Sequence, residues 1–159
     1  KKILNKYFII RISWLYSHYS SNFVTKVIRN LNSNKNMNIV NDQFGLPTSA
    51  DDLAKVVFKI VNSLYKRKKK YGVYHYSNFA QKPISWFQFA IEIHKINSLY
   101  RKSASNIRNI NSSNYNSIAN RPKNSSLNID KICNTFNVKK RNWKIQLKKT
   151  ISKIYKDNI

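Results

Sequence analysis

Residues 41–54 read NDQFGLPTSADDLA. The chain has 30 basic residues and only 6 acidic ones, yet Asp42, Asp51 and Asp52 all fall in this stretch. It also holds one of the 2 glycines and one of the 3 prolines, so backbone geometry is specified here as nowhere else. Gly45 and Pro47 predict a loop over Phe44 to Thr48. Ser49 and Asp52 have the S-x-x-D spacing of a capping box, in which hydroxyl and carboxylate satisfy free amides of a first helical turn. Asp51 and Asp52 also sit where the helix dipole favours negative charge. Leu53, Val56, Val57, Ile60, Val61 and Leu64 then form the apolar face of a helix. Met37 to Val40 upstream reads as a short strand. The stretch is therefore a strand–loop–helix junction, the place where sites collect in α/β folds. Asp42 and Gln43 have no such local account.

The same alternation runs outward in both directions. Tyr7 to Trp14 (YFIIRISW) is short and β-rich and predicts a buried strand. Phe23, Val24, Val27, Ile28 and Leu31 recur at helical spacing, with Ser21 or Asn22 as the N-cap. Asn32 to Asn36 is a polar turn. Val73 to Tyr76 predicts another strand. Ser85 and Gln88 repeat the capping-box spacing before a helix that carries Phe89, Ala90 and Ile93 inward, and Trp86 is assigned to packing against the sheet. Asn106 to Ile110 predicts a strand, Asn111 to Ser126 a long polar loop, and Asp130 to Phe136 a short helix. A terminal helix starts at Trp143. Alternating helices and strands argue for an α/β or α+β arrangement. The 159 residues fit one domain or part of a larger one.

Composition removes several classes of function. Hydrophobic residues make up 42% of the chain, enough for a core despite the net charge of +24. The lone cysteine, Cys133, excludes an internal disulfide framework. No apolar run approaches the roughly 20 residues of a membrane span. The apolar run of the opening KKILNKYFIIRISWLY is broken by Arg11 and followed by no small-residue cleavage site, so a soluble, cytoplasmic protein is expected. Lys, Asn, Ile, Tyr and Phe are residues of AT-rich codons, and the basic residues are scattered. Only Lys66 to Lys70 forms a block, in a position suited to a solvated turn. Codon drift therefore accounts for the charge better than a nucleic-acid surface does. His18, His75 and His94 lie at no metal-ligand spacing. There is no G-x-G-x-x-G and no P-loop. Tyr65 to Lys69 matches Tyr-x-x-x-Lys only inside the basic block.

RISWLY, SNF, NIVNDQFGLPTSADDLA, GVYHYSN, ISWFQFA and ANRPKNSSLN occur in this order. The series resembles the C-terminal half of the dTDP-4-dehydrorhamnose reductases, which are extended short-chain dehydrogenases. The resemblance runs from about Tyr7 into the helix that starts at Trp143. It implies an α/β fold of Rossmann type, with residues 1–159 forming a single partial domain that binds substrate. It also implies NADPH- or NADH-dependent reduction of the 4-keto group of dTDP-4-dehydro-L-rhamnose. The Tyr-x-x-x-Lys pair and the dinucleotide site would then belong to an N-terminal Rossmann half, absent from this sequence. A start without Met points the same way, to a piece of a longer protein, a split gene or a decaying one.

The resemblance further implies a substrate-contacting tryptophan at Trp14, for which a plain core position is the alternative. Asn22 is placed as a sugar-nucleotide contact or simply as a helix cap. Gln43 is a ligand contact or a loop hydrogen bond, and Arg121 a pyrophosphate contact or a surface residue. Asp51 matches a position near a Mg²⁺ at a dimer contact in some family members, although a helix-start acid is the better local reading. The expected partners are a dTDP-sugar, the missing Rossmann half and a second copy of the chain, with neither nucleic acid nor membrane. Another nucleotide-sugar reductase or epimerase, or a non-catalytic relative, would keep the same scaffold.

Overall fold

The computed structural model describes residues 5–66, 70–115 and 121–157. The chain order is β1 (Phe8–Ile12), β2 (Leu15–Tyr16), α1 (Phe23–Asn32), β3 (Met37–Val40), β4 (Phe44–Gly45), β5 (Thr48–Ser49) and α2 (Ala50–Tyr65). Then come β6 (Gly72–Tyr76), β7 (Ile84–Ser85), α3 (Trp86–Asn97), β8 (Ile107–Ile110), α4 (Asp130–Phe136) and α5 (Trp143–Asp157). A single 3-10 turn, Ser112–Asn114, follows β8. The architecture is α/β, as expected. β1 pairs in parallel with β6, and β3 with β8, each pair spanning two intervening helices.

The first predicted strand is shorter than its apolar run. β1 ends at Ile12 and alternates half-buried with exposed positions, with Ile9 43% exposed. Among the described residues β1 pairs only with β6. A strand covered on one side alternates, whereas one buried on both faces does not need to. The chain then turns sharply at Trp14, whose φ is 46°.

Two apolar clusters hold the layers together. One joins α1, α3 and α5 through Leu31, Phe89, Ile93, Leu147 and Ile151. The other packs α2 and α4 on β6 through Val56, Ile60, Tyr74, Ile132 and Phe136. On α2, Val57 and Val61 depart from the expected inward face: both are exposed, beside Phe58 at 65%.

Helix starts repay comparison with the sequence. Asn22 caps α1, accepting from the amides of Val24 and Thr25, and Thr25 completes a capping box. The Ser85–Gln88 box forms at α3 as predicted. The Ser49–Asp52 box does not: Ser49 is the N-cap of α2 but makes no side-chain cap. A distant residue takes over. Asn78 accepts the Ser49 amide at 2.7 Å and donates to Asp52 Oδ2 at 2.8 Å. The Asp52 side chain is fully buried, with Arg141 Nη1 at 3.4 Å and Lys55 Nζ at 3.6 Å. A buried carboxylate needs such partners, and here they tie α2 to the segments after β6 and before α5. Burial, with Asp52 adding to it, pushes the Tyr16 phenol above its ordinary pKa, so this interior polar group stays neutral. Of the basic block, residues 67–69 lie outside the described residues.

Candidate functional site

The stretch Asn41 to Ser49 is a backbone hub. Its predicted loop contains two short strands instead: β4 pairs antiparallel with β7, and β5 pairs in parallel with β2. The Asn41 amide extends the β3–β8 ladder to Ile110 O. Phe44 bonds through its amide to Lys123 O and through its carbonyl to the Ser125 amide, at 2.7 and 2.9 Å. The Thr48 amide donates to Trp14 O at 3.0 Å. Nine residues thus gather four distant segments, including those carrying Trp14, Trp86 and Arg121.

Asp42 has a function here that its neighbours in sequence do not reveal. Its two carboxylate oxygens accept from the amide and the hydroxyl of Ser112, each at 2.8 Å. These bonds hold the carboxyl below its ordinary pKa. They pin the start of the polar loop that leads towards Arg121. Residues 116–120 of that loop lie outside the described residues.

Trp14 sits in a left-handed backbone conformation, φ 46°, which costs a bulky residue about 1–3 kcal/mol and is sustained only by its surroundings. Three bonds sustain it. Thr48 donates through its amide to Trp14 O and through its hydroxyl to Ser13 O, and Ser13 Oγ donates to Leu46 O. The indole stacks on Trp86 with ring centroids 3.6 Å apart and planes 12° apart. The indole also lies against Gly45, where an added Cβ would stand 2.6 Å from both Trp14 Cε2 and Ser125 Oγ. Glycine is required at 45 for this close approach.

Two adjoining clefts open around this pair. The first, about 580 Å³, is lined by Trp14, Gln43, Phe44, Trp86 and Arg121 among others. The second, about 500 Å³, shares Gln43, Trp86 and Arg121 and adds Asn22, Lys26 and Tyr115. Among the described lining residues none is acidic, while Arg121 and Lys26 bring positive charge. Aromatic faces beside cations suit an anionic ligand that also carries rings.

Four of the five residues singled out from the sequence meet at these clefts: Trp14, Gln43, Arg121 and Asn22. Asn22 does so with its side chain already engaged, as the α1 cap and as a donor to Ser17 O at 2.9 Å. Asp51 lies elsewhere, in the first turn of α2, and pairs with Lys153 at 2.7 Å. This carboxylate raises the Lys153 pKa, chiefly by a hydrogen bond. Among the described residues no group of three metal-binding side chains occurs. One carboxylate already neutralised by an ammonium does not fit a Mg²⁺ site, which needs a hard oxygen shell. Trp86, assigned to packing from sequence, lines both clefts. Nothing in its own segment signals this, because the β4–β7 pairing that brings the Gly-Pro loop beside it joins Gly45 to the distant Ile84. Lys26 and Tyr115 give no signal either, because Lys and Tyr abound in this chain.

The RmlD substrate binding domain family model matches residues 1–156. The dTDP-4-dehydrorhamnose reductase of Sinorhizobium fredii is 34% identical over 137 residues, covering 85% of this chain and 46% of that protein. That of Aggregatibacter actinomycetemcomitans is 32% identical over 147 residues, covering 90% of this chain and 49% of that protein. The crystal structure of dTDP-4-dehydrorhamnose reductase from Bacillus anthracis in complex with NADP superposes with a TM-score of 0.83 at 29% identity, over 96% of this chain and 50% of that one. The chain thus spans about half the length of the relatives it matches.

Proposed function

The chain belongs to the RmlD substrate binding domain family, and from that premise we propose that it holds the sugar nucleotide in a dTDP-4-dehydrorhamnose reductase. The observation that carries this reading is the meeting of Trp14, Gln43 and Arg121 at one cleft rim, brought together by the 41–49 hub. In the proposed reaction, hydride adds to C4 of dTDP-4-dehydro-L-rhamnose and a proton to the carbonyl oxygen, giving dTDP-L-rhamnose. Trp14 offers a flat apolar face to the sugar. Arg121, with Lys26 across the second cleft, meets the pyrophosphate, and Gln43 bonds a ring hydroxyl. Trp14 and Trp86 also keep water from the face they cover.

A bound nicotinamide would supply the hydride. This chain does not fit that cofactor: it has no Gly-rich phosphate turn, and Tyr65 of the Tyr-x-x-x-Lys match is 83% exposed at the end of α2. The NADPH or NADH site and the proton donor are assigned to a dinucleotide-binding half. The edge of β1 away from β6, unpaired among the described residues, and the exposed apolar stripe of α2 are surfaces on which such a half could dock. Pairing with a second copy belongs to the same proposal. Among the described residues no helix is long and apolar enough to cross a membrane.

The test is to mix the chain with dTDP-4-dehydro-L-rhamnose and NADPH and follow absorbance at the nicotinamide band. The expected result is no oxidation by the chain alone. Turnover by the chain alone would overturn this division of labour.

A further inference from the structure

We propose that Trp86 is a positioning residue: by its ring stack, and with the close fit at Gly45, it clamps the Trp14 indole in place and so fixes the wall against which the sugar is held. This deepens the proposed function and rests on the reading of Trp14 as a substrate contact. Four observations carry it. Trp14 and Trp86 lie almost face to face, 3.6 Å between centroids. Aromatic pairs left to themselves prefer offset or edge-on arrangements at 4.5–7 Å, so the surroundings impose this overlap. The Cε2 and Nε1 atoms of Trp14 fit against residue 45 only because it lacks a Cβ. Gly45 and Trp86 are delivered together, since β4 and β7 pair in the register Gly45↔Ile84 and Trp86 follows β7 directly.

The clamp is backed from the core. Phe23, the first residue of α1, meets Trp86 at 4.6 Å and Phe89 at 5.5 Å, and Phe89 meets Trp143 at 5.8 Å. Asn22, as the α1 cap, sets where Phe23 begins. Its contribution to binding is then indirect, through Phe23 and Trp86. Trp14, held in a left-handed conformation that it would otherwise leave, is the part the clamp restrains.

Two readouts test the clamp on the whole 159-residue chain. The first needs no ligand. Two stacked indoles give an exciton couplet in circular dichroism, and each ring shields the other's Nε1–H in the NMR spectrum. Trp86→Phe should abolish the couplet while leaving Trp14 Nε1–H shielded by the phenyl ring. Gly45→Ala should abolish the shielding with both tryptophans present. The second readout is titration with dTDP-L-rhamnose. Trp86→Ala and Gly45→Ala should each weaken binding at least about tenfold, and Trp86→Phe should recover most of it. Trp86→Phe also covers the case in which Trp86→Ala fails to fold. Retained shielding in Gly45→Ala overturns the clamp. So does unchanged affinity in Gly45→Ala when Trp14→Ala binds weakly. Unchanged affinity in Trp14→Ala itself would instead overturn the substrate-contact reading, whatever the spectra show.

Discussion

The two apolar clusters of this chain differ in how completely they are covered. Around α1, α3 and α5 the inner side chains are sealed, with Leu31, Ile93, Leu147 and Ile151 all 0% exposed, although Ile91 and Ile145 stand exposed on the outer sides of α3 and α5. Around β1, β6, α2 and α4 the inner residues are buried, yet Ile9, Val57, Phe58 and Val61 stand 40–65% exposed on the outside. The first cluster is closed by the chain itself and supports the clefts, through the aromatic series from Trp143 to Trp86. The second is open, with apolar surface that needs a neighbour. The closed cluster thus lies behind the proposed substrate face, and the open one lies where the proposed cofactor-binding half would join. A shared sequence pattern hides the difference, because both clusters look apolar and helical.

Substitutions can break or sharpen that contrast. Leu147→Ala, in the closed cluster, should cost about 2–5 kcal/mol by removing buried methyl groups and leaving a cavity. Denaturant unfolding measures it, and a loss well under 1 kcal/mol would mean that this cluster is not sealed. Phe58→Lys, in the open cluster, should change the stability of the chain by no more than about 0.5 kcal/mol. It should also reduce self-association, read by analytical ultracentrifugation. A destabilisation as large as that of Leu147→Ala would show that Phe58 is already covered.

Much of this fold was legible in the sequence because its cues are local. The caps at Asn22 and Ser85, the strand Met37–Val40 and the helix Asp130–Phe136 follow from capping chemistry and apolar spacing. What escaped depends on residues distant in the chain. Asp52 has the spacing of a capping box but is claimed by Asn78, 26 residues away. Asp42 is satisfied by Ser112, 70 residues away. The inward face predicted for α2 is too wide because sequence cannot tell which neighbour covers Val57 and Val61. At the site, Trp14 follows from the family resemblance, Gln43 from its place after a strand end, and Arg121 from the proline that fixes its loop. Trp86 reads as packing because nothing in its own segment shows that Trp14 stacks on it.

In the proposed function the closed region, through Trp14, holds the sugar nucleotide and the open region does not. Isothermal titration of dTDP-L-rhamnose into the chain, Trp14→Ala and Phe58→Lys tests it most directly. The account predicts binding to the unaltered chain, equal binding to Phe58→Lys, and binding to Trp14→Ala weaker by at least about tenfold, or 1.4 kcal/mol. Equal affinity in the unaltered chain and Trp14→Ala would contradict it.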